Sequence, residues 1–72
     1  MDIFSIRLRE EREGSGLSRN EMAKKLGVAL STYKSYELIG TPTGRQPSLE
    51  TVRKIARILG VSVDYLLGLK EI

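Results

Sequence analysis

The side chains able to do chemistry in this 72-residue sequence are hydroxyls and cations, and their spacing suits gripping a ligand rather than making or breaking bonds. Ser18 and Arg19 stand at the start of one apolar-periodic stretch. In the next, Leu30, Ser31, Lys34, Ser35 and Leu38 recur at steps of one, three and four residues, which on a helix makes one outward stripe. Thr43, Arg45 and Gln46 follow in a connection rich in Gly and Pro. Such groups donate hydrogen bonds and offer positive charge to oxyanions. Catalytic chemistry has little to work with: there is no Cys for a thiolate and no His for an imidazole base or metal ligand. The acidic residues fall on solvated helix faces, with no base set beside a nucleophile. No enzyme, metal site or cofactor is expected.

These residues need two short helices to carry them. Ser18 and Glu21 form a capping box, the hydroxyl accepting from the amide of residue 21 while the carboxylate accepts from the amide of Ser18, so a helix begins there. Gly27 ends it, because a left-handed residue costs glycine nothing, and Val28 then closes back on Ala23. Tyr33 and Tyr36, three apart, join Met22, Leu26 and Val28 on an inner face. Ala23 is small where the two helices meet. Two helices around so short a turn make a helix-turn-helix, at about residues 18–38.

The supporting elements are as plain. Asp2 to Glu13 reads as a first helix, with Phe4 and Leu8 inward and a polar face laced by Arg7–Glu11 and Arg9–Glu13 pairs at i, i+4. Gly14-Ser15-Gly16 breaks it, and Leu17 packs back as a hydrophobic staple. Residues 38–47 read as a mobile loop whose glycines supply left-handed turns, with Thr43, Arg45 and Gln46 as donors. Ser48 caps a helix from Leu49 to Leu59, with Leu49, Val52, Ile55, Ala56 and Leu59 as core; Ser62 caps a last one, Val63 to Leu67. Leu69 and Ile72, with Leu66 or Leu67, offer a dimer seam.

At this length there is one domain, 1–72, which removes only roughly 60% of its unfolded surface from water. The net charge of +3 is uneven: residues 1–17 carry −1, residues 18–47 carry +3 and residues 48–72 carry +1. The excess lies on the helix-turn-helix and its following loop, where a polyanion would sit. No apolar run approaches the roughly 20 residues that span a bilayer, and no signal peptide is present, so a cytoplasmic setting is expected.

Leu17-Ser18, Glu21-Met22-Ala23, Leu26-Gly27-Val28, Tyr36-Glu37, Pro47-Ser48-Leu49-Glu50 and the run Leu59 to Leu67 together resemble the Cro/CI, or XRE-type, helix-turn-helix family. The resemblance implies an all-α, compact five-helix bundle of the lambda-repressor-like type, with helices 2 and 3 as the DNA-binding unit. It implies base reading in the major groove by Leu30, Ser31, Lys34 and Ser35, and an architectural ion pair between Arg12 and Glu37. Phosphate contacts fall to Ser18, Arg19, Thr43, Arg45 and Gln46. The expected function is sequence-specific binding of double-stranded DNA by a transcriptional repressor of prokaryotic or phage type, acting as a homodimer on an inverted repeat. No small-molecule effector is evident. Three departures bear on this. The early third helix lacks the Gln or Arg that pair bidentately with bases, Arg19 stands where glutamine is common, and Ala29 replaces a capping serine. A stripe bearing Leu30 and Leu38 also suits a protein-docking module that never touches DNA.

Overall fold

The computed structural model describes residues 2–71 as five helices: α1 (Ile3–Gly14), α2 (Arg19–Leu26), α3 (Leu30–Tyr36), α4 (Leu49–Leu59) and α5 (Val63–Leu66). Among the described residues there are no strands. Each start but one is fixed by a side chain. Asp2 caps α1 from outside the helix, Ser48 accepts from Thr51 N at 3.2 Å, and Ser62 accepts from Tyr65 N at 3.0 Å. The capping box of α2 is complete, with Glu21 N donating to Ser18 Oγ at 3.0 Å and Ser18 N donating to Glu21 Oε1 at 2.9 Å. Gly27 stops α2 at φ 73°, and Val28 N donates to Ala23 O at 3.1 Å, the six-to-one bond of a Schellman closure.

Ala29 is the exception. It occupies the N-cap of α3 at φ −66° and ψ 151° and makes no side-chain cap bond. The backbone is already in the extended conformation that a capping serine needs, and the side chain is exposed. Ala29→Ser is expected to stabilise the fold by about 1 kcal/mol. A higher urea midpoint at unchanged slope would show it; an unmoved midpoint would contradict it.

α2 packs on α3 and α4, while α5 packs on α1 and α4. Leu8, Met22, Tyr33, Ile55 and Leu66 are fully enclosed, and Tyr36 stands edge-on to Tyr33 with ring centroids 6.3 Å apart. Several expectations need correcting. Leu49 is 56% exposed, because as the first residue of α4 it projects beyond the bundle that covers Val52, Ile55 and Leu59. Leu66 is in the core and unavailable for a dimer seam; Leu67 and Leu69 are exposed, and Ile72 lies outside the described residues. α5 ends at Leu66 rather than Leu67.

The polar face of α1 is also used differently. Arg7 is not paired with Glu11. Its Nη1 donates to the carbonyls of Tyr65 and Lys70, each at 2.6 Å, and its guanidinium lies 4.4 Å from the Tyr65 ring centroid. One arginine thus ties α1 to a carbonyl in the last turn of α5 and to the tail beyond it, where it also pairs with the exposed Glu71 at 3.5 Å. Arg9 and Glu13 do not pair with each other; Glu13 lies 3.9 Å from Arg12 instead.

Nor is the connection after α3 a free loop. Ile39 is buried, and Ser5 fastens this segment to α1 by donating to Tyr36 O at 2.7 Å and accepting from Ile39 N at 3.1 Å. Farther on, Gly44 N donates to Thr41 O at 3.1 Å and Arg45 N donates to Ser35 O at 3.0 Å. The loop therefore lies back along α3.

Candidate nucleic-acid interface

The geometry of α2 and α3 starts from Glu37, the residue that ends α3. Its side chain is 3% exposed and takes donors from three elements. Arg12 Nε donates to Oε2 at 2.6 Å and Arg12 Nη2 to Oε1 at 3.4 Å. Arg19 Nε donates to Oε1 at 3.1 Å, and the Tyr33 hydroxyl donates to Oε2. Arg12 is itself buried and also reaches Leu17 O at 2.9 Å. The cluster joins the ends of α1, α2 and α3, so it sets how the helix pair is presented.

The electrostatics follow from that placement. Burial works to raise the Glu37 carboxyl, but the hydrogen bonds from Arg12, Tyr33 and Arg19 outweigh it and hold the group below the usual carboxylate range. Burial, then the carboxylate it donates to, pushes the Tyr33 phenol upward, so it remains a donor at any working pH. Glu21 is held low by the Ser18 amide and hydroxyl.

Leu30, Ser31 and Lys34 lie exposed on α3. Ser35 does not join them. It is 8% exposed, its hydroxyl donates to Thr32 O at 2.5 Å, and its carbonyl is taken by Arg45. Its hydroxyl is thus already engaged within α3, and it stands apart from the open residues Leu30, Ser31 and Lys34. The loop also gathers residues that were far apart in sequence. Ser31, Thr32, Ser35, Thr43 and Arg45 line one depression of about 230 Å³ beside α3. Thr32 was missed by the helical-stripe reading, since only the loop brings it beside Thr43 and Arg45. Gln46 is not with this group; it lines a separate hollow with Asp2, Phe4, Ile39, Pro47, Val52 and Leu67.

Arg19 and Lys34 come together elsewhere, around a depression of about 310 Å³ lined also by Arg9, Glu37 and Leu38. Ser18 is exposed, but its hydroxyl already serves Glu21, whose carboxylate sits at the same helix start and weakens the attraction for an anion there. Among the described residues, no group of three or more His, Cys, Asp or Glu could hold a metal ion, and no helix is long and apolar enough to cross a membrane.

Comparison with known proteins bears on what such a surface is for. Residues 8–66 match a family described as helix-turn-helix. The chain is 38% identical over 69 residues to the HTH-type transcriptional regulator YobD of Bacillus subtilis, covering 96% of this chain and 58% of that one. It is 42% identical over 65 residues to the SPbeta prophage-derived HTH-type transcriptional regulator YonR of the same organism, covering 90% and 56%. With the cryptic phage CTXphi transcriptional repressor RstR of Vibrio cholerae the identity is 38% over 69 residues, covering 96% and 59%. The chain thus spans a little over half the length of these relatives. Among solved structures there is no significant match.

Proposed function

From membership of the helix-turn-helix family, to which this chain belongs, we propose that it binds double-stranded DNA and regulates transcription as a repressor. The observation that carries this reading is the exposed face of α3 flanked by open cations. Leu30, Ser31 and Lys34 face solvent, with Arg19 on one flank and Arg45 with Thr43 on another. A helix so presented enters the major groove while its flanking cations meet the strands. Leu30 packs on a thymine methyl, and Ser31 donates to or accepts from either base of a pair. Without a bidentate Gln or Arg on that face, selectivity is modest and leans on DNA shape. Ser18 contributes a secondary phosphate contact, Gln46 a peripheral one, and Arg12 with Glu37 holds the frame. The protein works as a cytoplasmic homodimer on an inverted repeat and is a binding protein, not an enzyme.

The test is a polarisation titration of the full chain against duplex DNA across a salt series. If Arg19, Lys34 and Arg45 each neutralise a phosphate, log affinity falls by about 2.7 per decade of salt for each bound protomer, at about 0.9 per contact. Exposed Leu30 and Leu38, each 37% accessible, give the competing outcome a physical basis. Absence of salt-dependent binding at micromolar protein would replace this reading with a protein-docking face.

A further inference from the structure

Arg9 has no place in the function argued so far. It projects from α1 into the depression of about 310 Å³ that Arg19 of α2 and Lys34 of α3 also line, so three helices each bring one cation to the same hollow. The lone carboxylate there is shared three ways: Glu37 is buried, with its oxygens taken by Arg12 and Tyr33 as well as by Arg19. Among the described residues, Arg9 and Lys34 form no ion pair, and Arg19 pairs with Glu37 alone. That bond engages only the Nε–H of Arg19, and the side chain is 47% exposed, which leaves its terminal amino groups for a second acceptor. Arg9 and Lys34 therefore stand beside Arg19 with no carboxylate of their own, and an entering oxyanion relieves the repulsion among the three cations.

We propose that Arg9, Arg19 and Lys34 form a clamp for a single phosphodiester of the DNA backbone. This deepens the DNA-binding reading and rests on it. A phosphodiester presents one charge and two unesterified oxygens, which suits guanidinium donors converging from α1 and α2 with an ammonium from α3. The clamp brings α1 into the interface and puts Arg19 and Lys34 on one phosphate rather than two, so with the phosphate at Arg45 the expected slope becomes about 1.8 per decade of salt. Base reading on α3 is then left to Leu30 and Ser31.

The experiment compares the full chain with Arg9→Gln and Arg9→Lys on a short random-sequence duplex over a salt series, with melting measured for each. Arg9→Gln is expected to weaken binding at every salt concentration, with unchanged melting, while Arg9→Lys restores most of the affinity; because Arg19 and Lys34 still hold the shared phosphate, the salt slope falls by less than the about 0.9 of a whole contact. An Arg9→Gln affinity equal to that of the unmodified chain across the salt series, at equal melting, overturns the clamp alone. So does inorganic phosphate raising the melting temperature of the unmodified chain but not of Arg9→Gln while the two DNA affinities coincide, which would make the hollow a site for free phosphate. If the unmodified chain shows no salt-dependent DNA binding, the clamp falls together with the DNA-binding reading.

Discussion

Glu37→Gln is expected to cost about 3–5 kcal/mol, because it removes the charge from a buried pair and leaves the enclosed Arg12 with only the distant, exposed Glu13 as counter-ion. Stability in small domains is about 0.05–0.15 kcal/mol per residue, so a loss of that size is a large part of the total. The two partners are not equivalent. Arg12→Met leaves Glu37 with two of its three donor groups, the Tyr33 hydroxyl and Arg19 Nε, whereas Glu37→Gln leaves Arg12 with neutral acceptors, the amide oxygen of the new side chain and the Leu17 carbonyl, and as carboxylate only the more distant Glu13, 3.9 Å away. Arg12→Met should therefore be the milder change. Urea denaturation of both single variants and of Arg12→Met with Glu37→Gln gives the coupling. The double variant should lose less than the sum of the singles. A Glu37→Gln loss under 1 kcal/mol would mean that the cluster does not hold the helices.

The same pair sets a pH dependence with a definite sign. The folded Glu37 carboxyl is held below its unfolded value. Its contribution is therefore complete above the ordinary carboxylate range and disappears as the pH falls through the lower folded value. Unmodified chain and Glu37→Gln should differ most near neutrality and converge in acid, where protonated Glu resembles Gln. The difference between them isolates this group, since Glu21 in the capping box is also held low and titrates in both.

How much of this was legible in the sequence depends on the reach of each interaction. Caps and stops are local, so Ser18 with Glu21, Gly27, Ser48 and Ser62 could be read from spacing alone. The Tyr33 and Tyr36 face followed from helical period. Long-range bonds left no such trace. Nothing near Ser5 signals that its hydroxyl bonds Tyr36 and Ile39, and the i, i+4 rule assigned Arg7 to Glu11 although its partners are at Tyr65, Lys70 and Glu71. Ser31 and Ser35 show the limit on the interface itself. Four residues apart, they share nearly one helical face, yet Ser31 is open and Ser35 is covered. What separates them is Arg45 returning from ten residues on.

That return depends on Gly44, and for a reason other than turn handedness. Gly44 has no positive φ, unlike Gly27 and Gly60. A Cβ built on it would stand 2.1 Å from Leu38 O and 2.7 Å from Ile39 Cα, which are backbone atoms that no rotamer change can clear. In Gly44→Ala one limb of the loop must move. Ile39 is held by burial and by Ser5, so the limb carrying Thr43 and Arg45 yields, and the Arg45 N bond to Ser35 O breaks. The expected cost is about 1–3 kcal/mol, as for other overpacked sites. Faster amide exchange at Arg45 should accompany it, together with weaker DNA binding at unchanged helix content, because Thr43 and Arg45 leave the flank of α3. Gly14→Ala is the control: a Cβ there meets nothing within 4 Å, and the residue lies within the last turn of α1, so the change should be neutral or mildly stabilising. Equal stability of the two variants would show that the loop closes on α3 without needing the close approach at Gly44.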